Sequence, residues 1–219
     1  MVDLHDPLKP RLEAVVKLAD ARASQAQFRY LFVTTAEGLR VLDITQPARP
    51  AFVKGGTVAL ANARKLHVAR TYAYVAAGRE GLAIVDVENP ERPRLVQRFD
   101  ADGRLKDARD VAVGSTNASL FAYVADAVTG LNVIQLTSPD SQPKFYGFSP
   151  EPRPQWIAGY ATNEPALALS KGLERDRAVD ESGGQVAVFG RIGSRPFTLP
   201  EMQRLYLDRN GRPWTVSDR

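Results

Sequence analysis

One block of sequence recurs three times in this chain, and the recurrence limits the fold before any residue is read for chemistry. The first copy runs from Tyr30 through Gly38 and Asp43 to Pro47 and Pro50, the second from Tyr72 through Gly81 and Asp86 to Pro90 and Pro93. The third runs from Phe121 through Gly130 and Gln135 to Pro139 and Pro143, with small insertions. Gly38, Gly81 and Gly130 stand 43 and 49 residues apart, and Pro47, Pro90 and Pro139 keep the same spacing. A period of this length, rich in strand formers and punctuated by Gly and Pro, is that of a four-stranded propeller blade.

The repeat extends upstream of its strongest block. Leu18 to Arg22 aligns without a gap on Leu60 to Arg64, and Asp107 to Arg109 takes the same place in the third copy. Each unit then reads as a strand opened by Ala and Arg, an aromatic strand, a strand opened by Gly and Leu, a Pro-x-x-Pro link and a last apolar strand. Tyr72 to Ala76 and Leu82 to Val85 are almost continuously apolar, as expected of strands with neighbours on both faces, and Gly78 and Gly81 suit the turn between them. The prolines belong to a link outside the ladder.

The two ends of the chain carry partial copies. Val2 to Leu12 matches Val85 to Leu95, so Met1 sits inside a repeat: either the chain is a piece of a longer protein, or its first strand completes the last blade by pairing near residues 184 to 190. Ala166 to Gly172 resembles the aromatic strand, and Gly184 to Phe189 with Arg195 and Pro196 resembles the Gly-Leu strand and its link, making a degenerate fourth unit. A charged insertion at 173–183 separates its strands. Beyond Phe197, Thr198 and Glu201 have capping-box spacing before a short helical turn at Met202 to Tyr206, and Asn210 with Gly211 is a hairpin turn signal ahead of Trp214 to Val216.

The sequence therefore predicts an all-β chain, a β-propeller of about four repeat units of four antiparallel strands with a short C-terminal helical turn and hairpin. It reads as one domain over 1–219: a partial repeat or closing strand at 1–17, repeats at 18–59, 60–104 and 105–153, a degenerate repeat at 154–197 and a tail at 198–219. Lys and Arg exceed Asp and Glu by 29 to 25 and the charges are scattered, so nucleic acid is not indicated. No apolar run approaches the ~18 residues of a membrane helix, so no membrane insertion is expected. The absence of cysteine excludes disulfides, thiolate metal sites and covalently attached haem within this chain.

Gly81 to Pro90 and its sister copies resemble the LVIVD repeat, a family of bacterial and archaeal cell-surface proteins thought to form β-propellers. The resemblance covers residues 1 to 150 well and the fourth unit loosely. It implies a periplasmic, cell-surface or extracellular location, and no catalytic residues or cofactor. Copy three departs from the pattern at Gln135, where the others have Asp43 and Asp86.

Candidate sites are few. Arg22, Arg64 and Arg109 begin corresponding strands and would form a partial cationic ring able to hold an anion; the competing and favoured reading is that each binds the repeat Asp or a carbonyl of the next blade. Asp176, Asp180 and Glu181 in the charged insertion are candidate calcium ligands, set against the counter-charges of Lys171, Arg175 and Arg177. His5 and His67 fall at unrelated repeat positions, and neither they nor Ser170 with Lys171 make a catalytic constellation. Tyr30, Phe32, Tyr72, Tyr74, Phe121 and Tyr123 read as blade core; Trp156 and Trp214 lie outside the repeat and read as burial in the last blade or, if exposed, as contact anchors. The expected function is a non-catalytic module that binds another protein or itself. The alternatives are a propeller hydrolase or lyase with a site in the central channel, and an accessory subunit of an exported redox assembly.

Overall fold

A computed structural model describes residues 1–116, 119–138, 149–170, 191–192, 195–196 and 198–212. The chain divides into two compact units, Met1–Ser170 and Lys171–Arg219. In the first, a two-stranded hairpin, β1 (Val2–Asp3) with β2 (Arg11–Leu12), precedes three four-stranded antiparallel sheets. Blade one is β3 (Ala23–Gln27), β4 (Tyr30–Thr35), β5 (Gly38–Asp43) and β6 (Ala51–Ala59). Blade two is β7 (Leu66–Ala69), β8 (Tyr72–Ala76), β9 (Leu82–Asp86) and β10 (Arg94–Phe99). Blade three is β11 (Ala108–Thr116), β12 (Ser119–Asp126), β13 (Gly130–Thr137) and β14 (Gln155–Tyr160). Each blade pairs its strands in sequence order, the meander expected of propeller repeats.

Consecutive blades stack face to face. Phe32, Leu39 and Val41 of blade one close on Leu66, Val68, Ala73, Val75 and Val85 of blade two. On its other face blade two offers Tyr74, Leu82 and Ile84 to Leu120, Ala122, Val124 and Ile134 of blade three. Blade two is thus covered on both sides, which is why β8 and β9 are apolar without alternation. The first strands, β3, β7 and β11, lie side by side from blade to blade.

The repeated glycines take equivalent places. Gly38, Gly81 and Gly130 all have positive φ, and a Cβ on them would stand 2.0, 2.4 and 2.3 Å from the carbonyl oxygens of Val58, Phe99 and Tyr160 respectively. Each lets the third strand start pressed against the backbone at the far end of the fourth, which only glycine allows. At the other end of the third strand the repeat Asp builds a turn into the link: Asp43 accepts from Thr45 N at 2.7 Å, Asp86 from Glu88 N at 2.9 Å and Asp3 from His5 N at 2.9 Å. Asp3 does so because the hairpin is the outer half of a blade in miniature. Its pairs Val2–Leu12 and Asp3–Arg11 repeat Val85–Leu95 and Asp86–Arg94 of blade two. Contacts of this segment with residues 184 to 190, expected from the sequence, lie outside the described residues, as does the insertion at 173–183.

Several boundaries differ from the sequence reading. The last strand of blade three is Gln155–Tyr160, beyond the end drawn at residue 153, because the link after Pro139 is longer than in the other copies. Residues 166–170, expected in an aromatic-type strand, form none. Their Ala and Leu have little strand preference, and Leu169 N instead donates to Asp110 Oδ2 at 2.9 Å. In the second unit Arg195–Pro196, read as a link, is β16 and pairs with β15 (Arg191–Ile192). The helical turn is α1 (Leu199–Tyr206), with Glu201 Oε2 accepting from both the backbone N and the hydroxyl of Thr198 at 2.8 Å. A turn follows at Asp208 to Gly211; the second strand of that hairpin lies outside the described residues.

Candidate functional site

The three repeated arginines stand at one end of the first strands. Arg22 N donates to Thr34 O at 2.9 Å and Arg64 N to Ala76 O at 2.8 Å, so the backbone around them is held identically in blades one and two. Their side chains are not equivalent. Arg22 binds Asp20 Oδ2 through Nε at 3.1 Å and Nη2 at 2.8 Å, and its Nη1 reaches the carbonyl of Ala63 in blade two at 3.1 Å. Arg109 forks onto Asp107 in the same way, with Nε 2.9 Å from Oδ2 and Nη2 on the same oxygen. In blade two the acidic position is Asn62, and Arg64 has a looser ion pair, at 3.8 Å, with Asp107 of the next blade. Arg64 Nε is buried and has no hydrogen-bond partner among the described residues.

The expected bond to a carbonyl of the next blade is present at Arg22, while two other features of the sequence reading are corrected. The carboxylates facing the arginines are Asp20 and Asp107, not the repeat residues Asp43 and Asp86. Those stand at the other end of the sheet, opposite Tyr30 and Tyr72, where Asp43 accepts from the Thr45 amide and hydroxyl and Asp86 pairs with Arg94 at 2.9 Å. The guanidinium groups are also neither buried nor open: the side chains of Arg22, Arg64 and Arg109 are 27, 31 and 32% exposed.

The seams carry a second row of side chains whose role the sequence reading missed. Gln25 of β3 donates from Nε2 to Val68 O at 3.0 Å and accepts from Val68 N at 2.8 Å. Gln27 repeats the gesture to Arg70 O at 3.0 Å. One blade on, His67 Nδ1 accepts from Val113 N at 3.1 Å. Carrying the gapless alignment of Arg22 on Arg64 three residues further puts Gln25 on His67, which is the signal that was there to be used. His67 is therefore a blade-to-blade clasp, and its accepting Nδ1 fixes the neutral imidazole with its proton on Nε2.

Asp126, at the end of β12, is a second missed residue. It is fully buried and accepts four backbone amides, Lys106 and Asp107 at 2.7 Å and Val128 and Thr129 at 2.9 Å. Burial alone would raise its pKa; the amides of Asp107, Val128, Thr129 and Lys106 outweigh that, and the carboxyl titrates below its usual range. Asp107, the partner of Arg109, is therefore itself placed by Asp126.

Of the other candidates, Asp176, Asp180, Glu181 and Trp214 lie outside the described residues. Among the described residues no three His, Asp or Glu side chains converge as a metal site would require, and no helix is long and apolar enough to cross a membrane. Trp156 packs at the edge of the core between blades two and three and donates from Nε1 to Asn132 Oδ1 at 3.0 Å, with the Arg104 guanidinium 4.9 Å from its ring. The aromatic positions split. Phe32 and Tyr74 are core at 1% and 0% exposure, whereas Tyr123, at the same position in blade three, is 40% exposed.

Comparison with known families matches the LVIVD repeat at residues 29–55, 61–101 and 106–147, which together make up half of the chain. No curated protein matches it.

Proposed function

This chain belongs to the LVIVD repeat family, and from that premise we propose that it is a non-catalytic β-propeller module that presents a blade face to another protein or to a second copy of itself. The observation that carries the reading is the fate of one repeat position. Phe32 and Tyr74 are closed by the following blade, while Tyr123 points from blade three into solvent at 40% exposure. Tyr160, 71% exposed, shares that face, since Leu131 pairs with both Ala125 of β12 and Tyr160 of β14. Exposed tyrosines on a rigid sheet are efficient contact residues, giving large area at little conformational entropy. Meanwhile the recurring polar side chains, Arg22, Gln25 and His67, are engaged in holding blades together rather than arranged around a reacting centre.

The test is a photo-crosslinking amino acid at position 160 in the source cells. A discrete protein adduct, lost when Tyr123→Asp is added, is the expected result; an adduct of twice the chain mass identifies the second copy as partner. No adduct, or one indifferent to Tyr123→Asp, overturns the proposal. The resemblance further supports a periplasmic or cell-surface module, and fractionation of the same cells would show the chain outside the cytoplasm; cytoplasmic recovery would reject that part alone.

A further inference from the structure

Blades one and three neutralise their opening arginine with an aspartate two residues earlier, Asp20 for Arg22 and Asp107 for Arg109. Blade two does not. Asn62 occupies the acidic position with the same left-handed backbone as Asp20, φ 54° against 50°, so the fold is conserved and only the charge is missing. Three guanidinium groups therefore share two carboxylates, and the shortfall falls on Arg64. Among the described residues its one ion pair, at 3.8 Å, is to Asp107, which Arg109 already grips, and its buried Nε has no acceptor.

Gly78 lies against this group, and the point where its Cβ would stand is 3.4 Å from Asn62 Cβ, 3.7 Å from Asp107 Oδ1 and 3.9 Å from Arg64 Nε. These are contact distances, so Gly78 closes the Nε side of the guanidinium, while the Arg64 side chain as a whole retains 31% of its surface. A partly exposed planar guanidinium that lacks a carboxylate of its own, with an exposed carboxamide beside it, offers donors to one oxyanion.

We propose that Arg64, with Asn62, binds a single oxyanion, a carboxylate or phosphate group, that stands in for the aspartate blade two lacks. The inference is independent of the interaction role proposed above, since the anion is either a free ion or the acidic side chain of a partner.

The chain is titrated with inorganic phosphate at constant ionic strength while its melting temperature is followed, and in parallel with a tetraglutamate peptide. Wild type should gain about 4 °C at ten times the dissociation constant. The gain should vanish in Arg64→Ala and in Asn62→Asp, which supplies the carboxylate from within and leaves the backbone unchanged, and it should persist in Arg22→Ala. A response to the peptide at tenfold or lower concentration than to phosphate assigns the site to an acidic side chain; a response to phosphate alone assigns it to a free ion. Absence of any gain in wild type, or an equal gain in Asn62→Asp, overturns the proposal. Should Arg64→Ala fail to fold, Asn62→Asp still decides.

Discussion

Gln25 and Val68 exchange two hydrogen bonds across the seam between blades one and two, the carboxamide giving to the carbonyl at 3.0 Å and taking from the amide at 2.8 Å. The primary amide thereby behaves as a rung of sheet connecting strands that do not themselves pair. Gln25→Ala leaves both groups of Val68 without a protein partner in a half-buried seam. It should destabilise the chain by about 2 kcal/mol, the sum of two ordinary hydrogen bonds. At His67, which takes the corresponding place one blade on, His67→Gln should be tolerated while His67→Ala loses about 1 kcal/mol. Urea midpoints of the three variants check both statements; equal losses for His67→Gln and His67→Ala would show that packing, not the bond to Val113, is what matters.

Tyr74 has a fully buried ring and a buried hydroxyl with no partner among the described residues, and burial pushes its phenol well above the ordinary value. The same position in blade one is Phe32, also buried. An orphaned hydroxyl is a net cost, so Tyr74→Phe should leave the fold intact and raise stability by up to about 1 kcal/mol. Thermal unfolding of the variant is the measurement. A clear loss would mean that the hydroxyl has a partner, such as a buried water.

The parts of this architecture that were legible in the sequence are those that every blade must satisfy separately. Gly38, Gly81 and Gly130 recur because each third strand must begin against a carbonyl, and the Asp of the second copy recurs at Asp3 and Asp43 because each link needs the same turn. What was not legible is what belongs to pairs of blades. The clasp from Gln25 to Val68 and its counterpart from His67 to Val113 use different residue types for one task, so residue identity hid the correspondence that spacing preserves. The arginine partners were misassigned for a related reason. Asp43 and Asp86 are the acids that recur, yet they stand opposite Tyr30 and Tyr72 at the far end of the sheet, and the acids that meet the arginines are two residues away in sequence. The exposure of Tyr123 was likewise beyond sequence reasoning, since it occupies the repeat position of the buried Phe32 and Tyr74.

Asp126 supplies a pH dependence with a definite sign. Its carboxylate gathers four backbone amides, two from the segment entering β11 and two from the turn after β12. Its folded-state pKa is lowered, so its stabilisation is fully present above the unfolded carboxylate value of about 3.9 and is lost as pH falls below that, through the folded value. Asp126→Asn turns an amide NH2 toward donors and should cost about 2 kcal/mol near neutrality. The variant's stability should also fall less steeply than wild type's below pH 4, because the titrating group is gone. Parallel acid limbs for the two proteins would remove Asp126 as a source of that slope.

Gly81 offers the sharpest test that the repeat spacing is set by backbone contact. Its φ is +74°, and a Cβ there would stand 2.4 Å from Phe99 O and 2.9 Å from Asp100 Cα, both backbone atoms that cannot turn aside as a flexible side chain could. Gly81→Ala combines a left-handed conformation that alanine resists with displacement of the chain leaving β10, and it should cost roughly 3 kcal/mol. Gly103 is the control. It too has positive φ, at +78°, but nothing lies within 4 Å of its added Cβ. Gly103→Ala should therefore show the conformational part alone, roughly 1 kcal/mol. The comparison is made by denaturant unfolding of both variants, and similar losses at the two sites would mean that φ alone, rather than the approach of β9 to the end of β10, dictates glycine at the repeat position.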